Sequence, residues 1–233
     1  MTDIHSHIIP FVDDGSKSLE ASLGMLREEI AQGVETVVCT PHLRTGYFEK
    51  SDETVLENFN LLKKSAEESG LKINLYLGRE VFYKHSLFMK LLEEKTMPTI
   101  NGGKYALIEF DVINDPDIDE VCYSMSVAGY IPVIAHIERY TYFRSVEAVQ
   151  KLKRYGTLIS VNAEPIVSGP FDAEHIFVKK LLKHKIVDLV GSDVHYNRKN
   201  YMNKAYLRVA KSDRAYADAI FGKNAEEVLF GKQ

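Results

Sequence analysis

The sequence predicts an α/β fold, a closed or nearly closed parallel (β/α) barrel formed by a single domain of 233 residues. Two observations carry that prediction. Seven short β-branched or apolar runs alternate with helical periodicities along the chain, the pattern of a parallel sheet with crossover helices. Each run also delivers a histidine, an acid or an amide at its C-terminal end, roughly every thirty residues, and in a barrel those ends meet at one mouth. An open doubly wound sheet is the competing arrangement. It is disfavoured because no Gly-rich phosphate fingerprint follows the first strand.

Residues 2–7 read as the first strand and carry Asp3-Ile-His-Ser-His7. Two histidines at i and i+2 on a strand share a face, because side chains alternate with period two. The loop Pro10-Phe-Val-Asp-Asp-Gly15 follows, and Ser16 or Ser18 caps a helix to about Gln32, closed by Gly33. Residues 34–40 are a buried parallel strand ending in Pro41-His42. Ser51 begins a second helix with Val55, Phe59, Leu62 and Ala66 at helical spacing, stopped at Gly70. The third strand spans 73–80 and ends in Glu80, and a helix over 86–94 leads to a strand over 105–110 that contains Glu109.

Asp115-Pro116 reads as an N-cap and first-turn proline for a helix ending near Gly129. Strand five spans 131–136 and ends in His136. A helix over 145–154 stops at Gly156, and strand six over 157–162 ends in Asn162. Asp172 caps a helix to about His184. Strand seven, 187–191, is followed by Ser192-Asp-Val-His195. The remainder is helical, with Asn224 and Glu227 as a late capping box.

Composition narrows the function. Hydrophobic content of 45% and charged content of 27% are those of an ordinary globular chain, and a net charge of -4 gives no basic footprint for nucleic acid. No apolar run reaches the ~20 residues of a membrane span, and no secretory leader is expected because residue 3 already belongs to the first motif. Two cysteines, Cys39 and Cys122, make a disulfide framework unexpected, so a reduced cytoplasmic setting is the simplest reading.

Taken together, His5, His7, His42, Glu80, Glu109, His136, Asp193 and His195, with one of Asp13 or Asp14, form a mixed imidazole and carboxylate set suited to Mn, Fe or Zn. One ion needs about four to six ligands, so this set is too large for one. Two or three divalent ions fit, with Glu80 as a natural bridge. Three would leave a positive surplus that an anionic substrate neutralises, and a phosphate ester is the obvious one. Paired metal ions clamp the attacking and leaving oxygens of an in-line displacement and generate hydroxide at neutral pH. Arg139 and Arg198 lie in loops just after ligand positions, and their guanidinium forks match phosphate oxygens. Arg44 and Arg79 are further candidates.

The ordered motifs Asp3-Ile-His-Ser-His-Ile-Ile-Pro10, Val12-Asp-Asp-Gly15, Thr40-Pro-His42, Gly78-Arg-Glu80, Leu107-Ile-Glu109, His136-Ile-Glu-Arg-Tyr140 and Ser192-Asp-Val-His195 resemble the PHP (polymerase and histidinol phosphatase) superfamily. Within it the chain is similar to the bacterial CpsB/CapC/YwqE-type tyrosine phosphatases of capsule and exopolysaccharide synthesis. The resemblance covers nearly the whole chain. It implies a distorted (β/α)7 barrel and a trinuclear centre, usually manganese or iron. One ion would be held by His5, His7, Glu80 and Asp193, a second by Glu80, Glu109 and His136, and a third by Asp14, His42 and His195. It also implies a phosphotyrosine protein as substrate, a bacterial tyrosine kinase as partner, and Arg139 and Arg198 on the phosphate. Ile137 stands where the family usually has proline, and the loop over 43–50 gives no clear substrate signature.

Rival readings are a small-molecule phosphatase of the histidinol-phosphate type and a non-catalytic metal-stabilised module that docks a tyrosine kinase. A cysteine phosphatase would need Cys-x5-Arg, and Arg44 comes one residue too soon after Cys39. An amidohydrolase would need a lysine for a carbamate bridge where strand four has Glu109. The oligomeric state is open.

Overall fold

All seven predicted strand positions form strands, and two of them are broken in the middle. A computed structural model describes residues 1–143 and 145–231. Among these, the strands are β1 (Thr2–Ser6), β2 (Thr36–Cys39), β3 (His42–Leu43), β4 (Asn74–Leu77), β5 (Glu80–Phe82), β6 (Tyr105–Glu109), β7 (Ile131–Ile134), β8 (Leu158–Asn162) and β9 (Leu189–Gly191). Thr40-Pro41 separates β2 from β3, where proline offers no N–H to a ladder. Gly78-Arg79 separates β4 from β5. Arg79, buried, spans the two breaks: its Nε donates to Pro41 O (3.3 Å) and its Nη2 to His42 O (2.9 Å), while Nη1 reaches Asp52 Oδ1 (2.6 Å).

All strand pairs are parallel, in the orders β1-β2-β4 and β3-β5-β6-β7-β8-β9. The curled sheet's ends meet where Ser6 bridges Val194, with Asp193 N donating to His5 O (2.8 Å) and His7 N to Val194 O (3.1 Å). This is the parallel barrel that the strand pattern predicts, distorted as the family resemblance implies.

Ten helices are described: α1 (Leu19–Ala31), α2 (Asp52–Glu68), α3 (His85–Glu93), α4 (Ile118–Val127), α5 (Val146–Leu152), α6 (Ala163–Val167), α7 (Ala173–Lys183), α8 (Met202–Ala210), α9 (Arg214–Asp218) and α10 (Asn224–Phe230). Ser18, Ser51, Ser145 and Asp172 each accept a first-turn amide hydrogen bond as N-caps. Two expected caps fall elsewhere. Asp115 folds into a turn, accepting from Asp117 N and Ile118 N, and Asp117 caps α4 two residues later. Asn224 does not cap α10, because a π-helical turn over Ala219–Lys223 brings the chain into α10 already helical. With no orphaned first-turn amides to satisfy, its Nδ2 donates to Asp188 O (2.8 Å) instead.

Consecutive strand residues go to opposite layers. Val38, Leu107, Val133 and Leu189 point inward, where Ile100 and Ala225, Val228 and Leu229 of α10 fill the barrel interior. Their neighbours Cys39, Ile108, Ile134 and Val190 pack outward against Leu26, Leu62, Val121, Val149 and Leu181 of the helices. Both faces are therefore apolar, as parallel strands require.

At the mouth, alternation alone would send Ile4 and His5 to opposite faces. A register shift between Asp3 and Ser6 re-aims the histidine inward. Gly191 makes room for it: a Cβ there would lie 2.6 Å from His5 Cβ. In contrast, a Cβ on Gly24, inside α1, meets nothing within 4 Å. In urea unfolding we expect Gly191→Ala to lose about 1–3 kcal/mol by overpacking, and Gly24→Ala to gain up to about 1 kcal/mol of helix propensity. A Gly191→Ala protein as stable as the parent would contradict the packing described beneath His5.

Candidate metal centre

Each of the nine predicted ligand residues lies at the mouth. His5 and His7 follow from β1, His42 and Glu80 open β3 and β5, Glu109 closes β6, His136 follows β7, and Asp193 and His195 follow β9. His42 and Glu80 are register partners in the β3–β5 pair. Glu80 is the hub. Its Oε2 lies 3.3 Å from both His5 Nε2 and His7 Nε2 and 2.9 Å from His42 Nδ1, and its Oε1 lies 2.9 Å from His136 Nε2.

Asp193 Oδ1 is 3.7 Å from His5 Nε2 and 3.4 Å from His7 Nε2. Glu109 stands 3.7 Å from both His42 and His136. Asp14 Oδ1 sits 3.6 Å from His42 Nε2 and 3.5 Å from His195 Nε2. Four interlocked groups of ligand atoms result: His7, Asp14, His42 and His195; His5, His7 and Asp193; His5, Glu80 and His136; and His42, Glu80 and Glu109.

Asp13 and Asp14 separate by what they touch. Asp13 Oδ2 pairs with His7 Nδ1 (2.7 Å) and accepts from His42 N (3.0 Å), so it orients His7 with Nε2 inward. Burial opposes its ionisation, but the His7 charge and these hydrogen bonds hold it well below the usual carboxylate range. Asp14, half exposed, is the one that faces His42 and His195.

Asp193 divides its oxygens similarly. Oδ1 faces the histidines, while Oδ2 accepts from Arg139 Nη2 (2.5 Å), Arg198 Nη1 (3.1 Å) and Asn162 Nδ2 (3.1 Å). Both predicted arginines thus stand beside the mouth, tethered to one ligand-type carboxylate. Arg79 is engaged with backbone and Asp52, and Arg44 lies over the rings of Tyr47 and Phe82. Neither reaches the centre in this arrangement.

Electrostatics test whether a cation fits. Burial disfavours the Glu80 and Asp193 carboxylates, yet His5 with His42, and His7 with His5 and Arg139, hold them well below the usual range, so both are charged. Burial and then the Glu80 charge push Glu109 up to about 7. His136 and His195 are held down to about 4, by burial first and then by Arg139 and by His7 respectively. Burial opposes a charge on His7 and His42 as well, but Asp13 and Glu80 respectively push these two imidazoles up, so protons gather among the crowded carboxylates where a bound divalent cation would replace them. Glu80 Oε2 and His42 Nδ1 lie 2.9 Å apart but are not aligned for a hydrogen bond, and with Glu109 Oε2 they are buried without one among the described residues, which a cation would supply. The donor set fits divalent metal ions.

Several supporting roles escaped the sequence. Asp3, one residue ahead of the Ile-His pair, accepts from Ser192 N (2.8 Å) and Ser192 Oγ (2.5 Å), tying β1 to the loop that carries Asp193. His136 and Asp193 adopt left-handed backbone (φ 31 and 51), strain that no residue type announces. Asn162 ends its strand as expected, but its hydrogen bond to Asp193 has no sequence signal.

A family model described as capsular polysaccharide synthesis, CpsB/CapC, matches residues 1–230. The chain belongs to the CpsB/CapC family. Among relatives in that family, the chain is 37% identical to the tyrosine-protein phosphatase CpsB of Streptococcus pneumoniae and 34% identical to that of Streptococcus agalactiae. In each case the match covers 98% of both chains. A solved structure from work on YwqE of Bacillus subtilis and CpsB of Streptococcus pneumoniae, described as unique metal-dependent tyrosine phosphatases, superposes with a TM-score of 0.90. It is 26% identical and covers 100% of this chain and 96% of the other. The CpsB/CapC family and the PHP-type fold agree with the resemblance in the motifs.

The thiols are not part of this centre. Cys39 and Cys122 are free and buried. Burial, with Asp3 and Glu29 nearby, pushes the Cys39 thiol far up, and burial pushes Cys122 up to about 12. A thiolate is the reactive form, so we expect iodoacetamide near neutral pH to leave the folded chain without adducts in intact-mass spectra. Rapid alkylation of Cys39 in the folded protein would contradict its place on the outer strand face.

Proposed function

We propose that this chain is a metal-dependent protein-tyrosine phosphatase acting on a phosphotyrosine protein, a bacterial tyrosine kinase of capsule or exopolysaccharide synthesis, in the cytoplasm. The observation that carries the reading is the set of four interlocked ligand groups at one mouth with two arginines beside them. The names of the family's relatives and the absence, among described residues, of a helix long and apolar enough to cross a membrane are in keeping with it.

Three divalent ions, manganese foremost with iron or zinc as alternatives, would be held by His5, His7, Glu80 and Asp193; by Glu80, Glu109 and His136; and by Asp14, His42 and His195. Bound there, such ions supply hydroxide at neutral pH and neutralise charge in an in-line displacement at phosphorus. The chain's own part is placement. Arg139 and Arg198 stand where their remaining N–H groups can take phosphate oxygens, bidentate contacts that orient the ester. Asp13 fixes the His7 tautomer, and Asn162 with the arginines fixes Asp193. No cysteinyl phosphate is required, in keeping with the buried thiols.

The test is phosphate release by the purified protein with manganese added, comparing a phosphotyrosine peptide with histidinol phosphate. We expect preference for the peptide, loss on chelation and recovery when manganese returns. His42→Ala and Asp193→Ala should each lower turnover by at least about 100-fold, beyond the cost of losing an outer partner, with native circular dichroism. Full activity after metal stripping would reject the reading, and preference for histidinol phosphate would move it to a small-molecule phosphatase.

A further inference from the structure

The 43–50 segment, silent in the sequence, folds into a tight hairpin over the metal centre. Arg44 and Phe48 exchange backbone hydrogen bonds, Arg44 N to Phe48 O at 2.9 Å and Phe48 N to Arg44 O at 2.8 Å, around Gly46 in left-handed backbone (φ 86). Its base is held from below, because both Arg79 Nη atoms donate to Lys50 O at 3.4 Å. Its start is held from the side, because the Arg44 guanidinium lies 4.1 Å from the Phe82 ring centroid and 4.7 Å from that of Tyr47.

The consequence is the position of Phe48. Its ring stacks on the His42 imidazole, centroids 5.3 Å apart and planes 12° from parallel. His42 is itself a member of two ligand groups and faces Asp14 at the exposed side of the centre. Phe48 is only partly buried, so the donor atoms are bordered by a flat, rigidly mounted apolar ring. A phosphate bound beside His42 would have this aromatic wall within reach of its ester group.

We propose that Phe48 is a specificity-determining residue that selects aryl over alkyl phosphate esters, by packing against the ring of the phosphotyrosine side chain while the phosphate reaches the centre. This rests on the phosphatase reading above. An aromatic pair is worth about 0.5–1.5 kcal/mol beyond its buried area, roughly a three- to tenfold effect on binding. A serine or threonine phosphate brings no ring to the wall and gains nothing from it.

The experiment measures binding and turnover in the manganese-loaded full chain for the parent, Phe48→Ala and Phe48→Tyr. The probes are a peptide carrying a phosphonate analogue of phosphotyrosine, a phosphotyrosine peptide, β-glycerophosphate and inorganic phosphate, with metal content per chain measured alongside. We expect Phe48→Ala to weaken the phosphonate Kd and raise the phosphotyrosine KM by about three- to tenfold. The inhibition constant of inorganic phosphate, the KM for β-glycerophosphate and the metal content should stay within about twofold of the parent, and Phe48→Tyr should restore aryl binding. An unchanged ratio of aryl to alkyl KM overturns the proposal. So does a joint loss of metal, phosphate affinity and both substrates, which would make Phe48 a mere support for His42. A parent protein inactive on phosphotyrosine but retaining its metal strikes the phosphatase reading itself and takes this inference with it.

Discussion

Everything at the mouth of this barrel is arranged around a buried concentration of negative charge. Glu80 has no exposed surface and lies within 3.3 Å of four imidazoles. Burying a carboxylate is costly unless it is paired and hydrogen-bonded, and here Asp193 and Glu109 crowd the same space. The strain is visible in Glu109, which burial and the Glu80 charge together push up to about 7. His136 and His195 are held neutral, so the pushed-up imidazoles of His7 and His42 are the ones that offset part of this charge. Divalent cations would replace those protons, and the ligand atoms already converge on positions where they would sit.

The fold is bent to serve that convergence. Regular strands would not place His42 and Glu80 as register partners after Thr40-Pro41 and Gly78-Arg79, and regular alternation would not turn His5 inward. The breaks, the bulge and the left-handed residues His136 and Asp193 are departures from ideal geometry concentrated at one end of the barrel. Beneath it, the barrel interior is filled by apolar side chains layered over α10. Around the centre, Asp13, Asn162, Arg139, Arg198 and the Asp3–Ser192 pair hold the far atoms of ligand side chains or their backbone. Such outer partners convert a set of donors into a preorganised one.

Much of this was legible in the residues. The seven strand positions follow from β-branched runs between helical periodicities, and the ligand-type side chains recur at strand ends because barrel topology makes those ends meet. Ser18, Ser51 and Asp172 cap their helices because short oxygen side chains satisfy first-turn amides. What stayed hidden depends on tertiary context. Asp115 looks like a cap but spends its carboxylate on a turn, and Asn224 needs no cap role because its helix arrives already wound. Adjacent, chemically identical Asp13 and Asp14 take different tasks only because the loop turns one inward to His7 and the other towards His195. The hairpin that stacks Phe48 on His42 depends on Arg79, thirty-one residues further along, and no local pattern announces it.

The most direct test of the central claim is the number of divalent ions bound per chain, by elemental analysis, in the parent and in Glu80→Gln. The account predicts more than one ion per chain in the parent. It predicts a reduced count in Glu80→Gln, because the amide keeps the shape of the hub but removes the charge that neighbouring ions would share. A parent that binds no ion, or a Glu80→Gln protein with undiminished metal content, would contradict it.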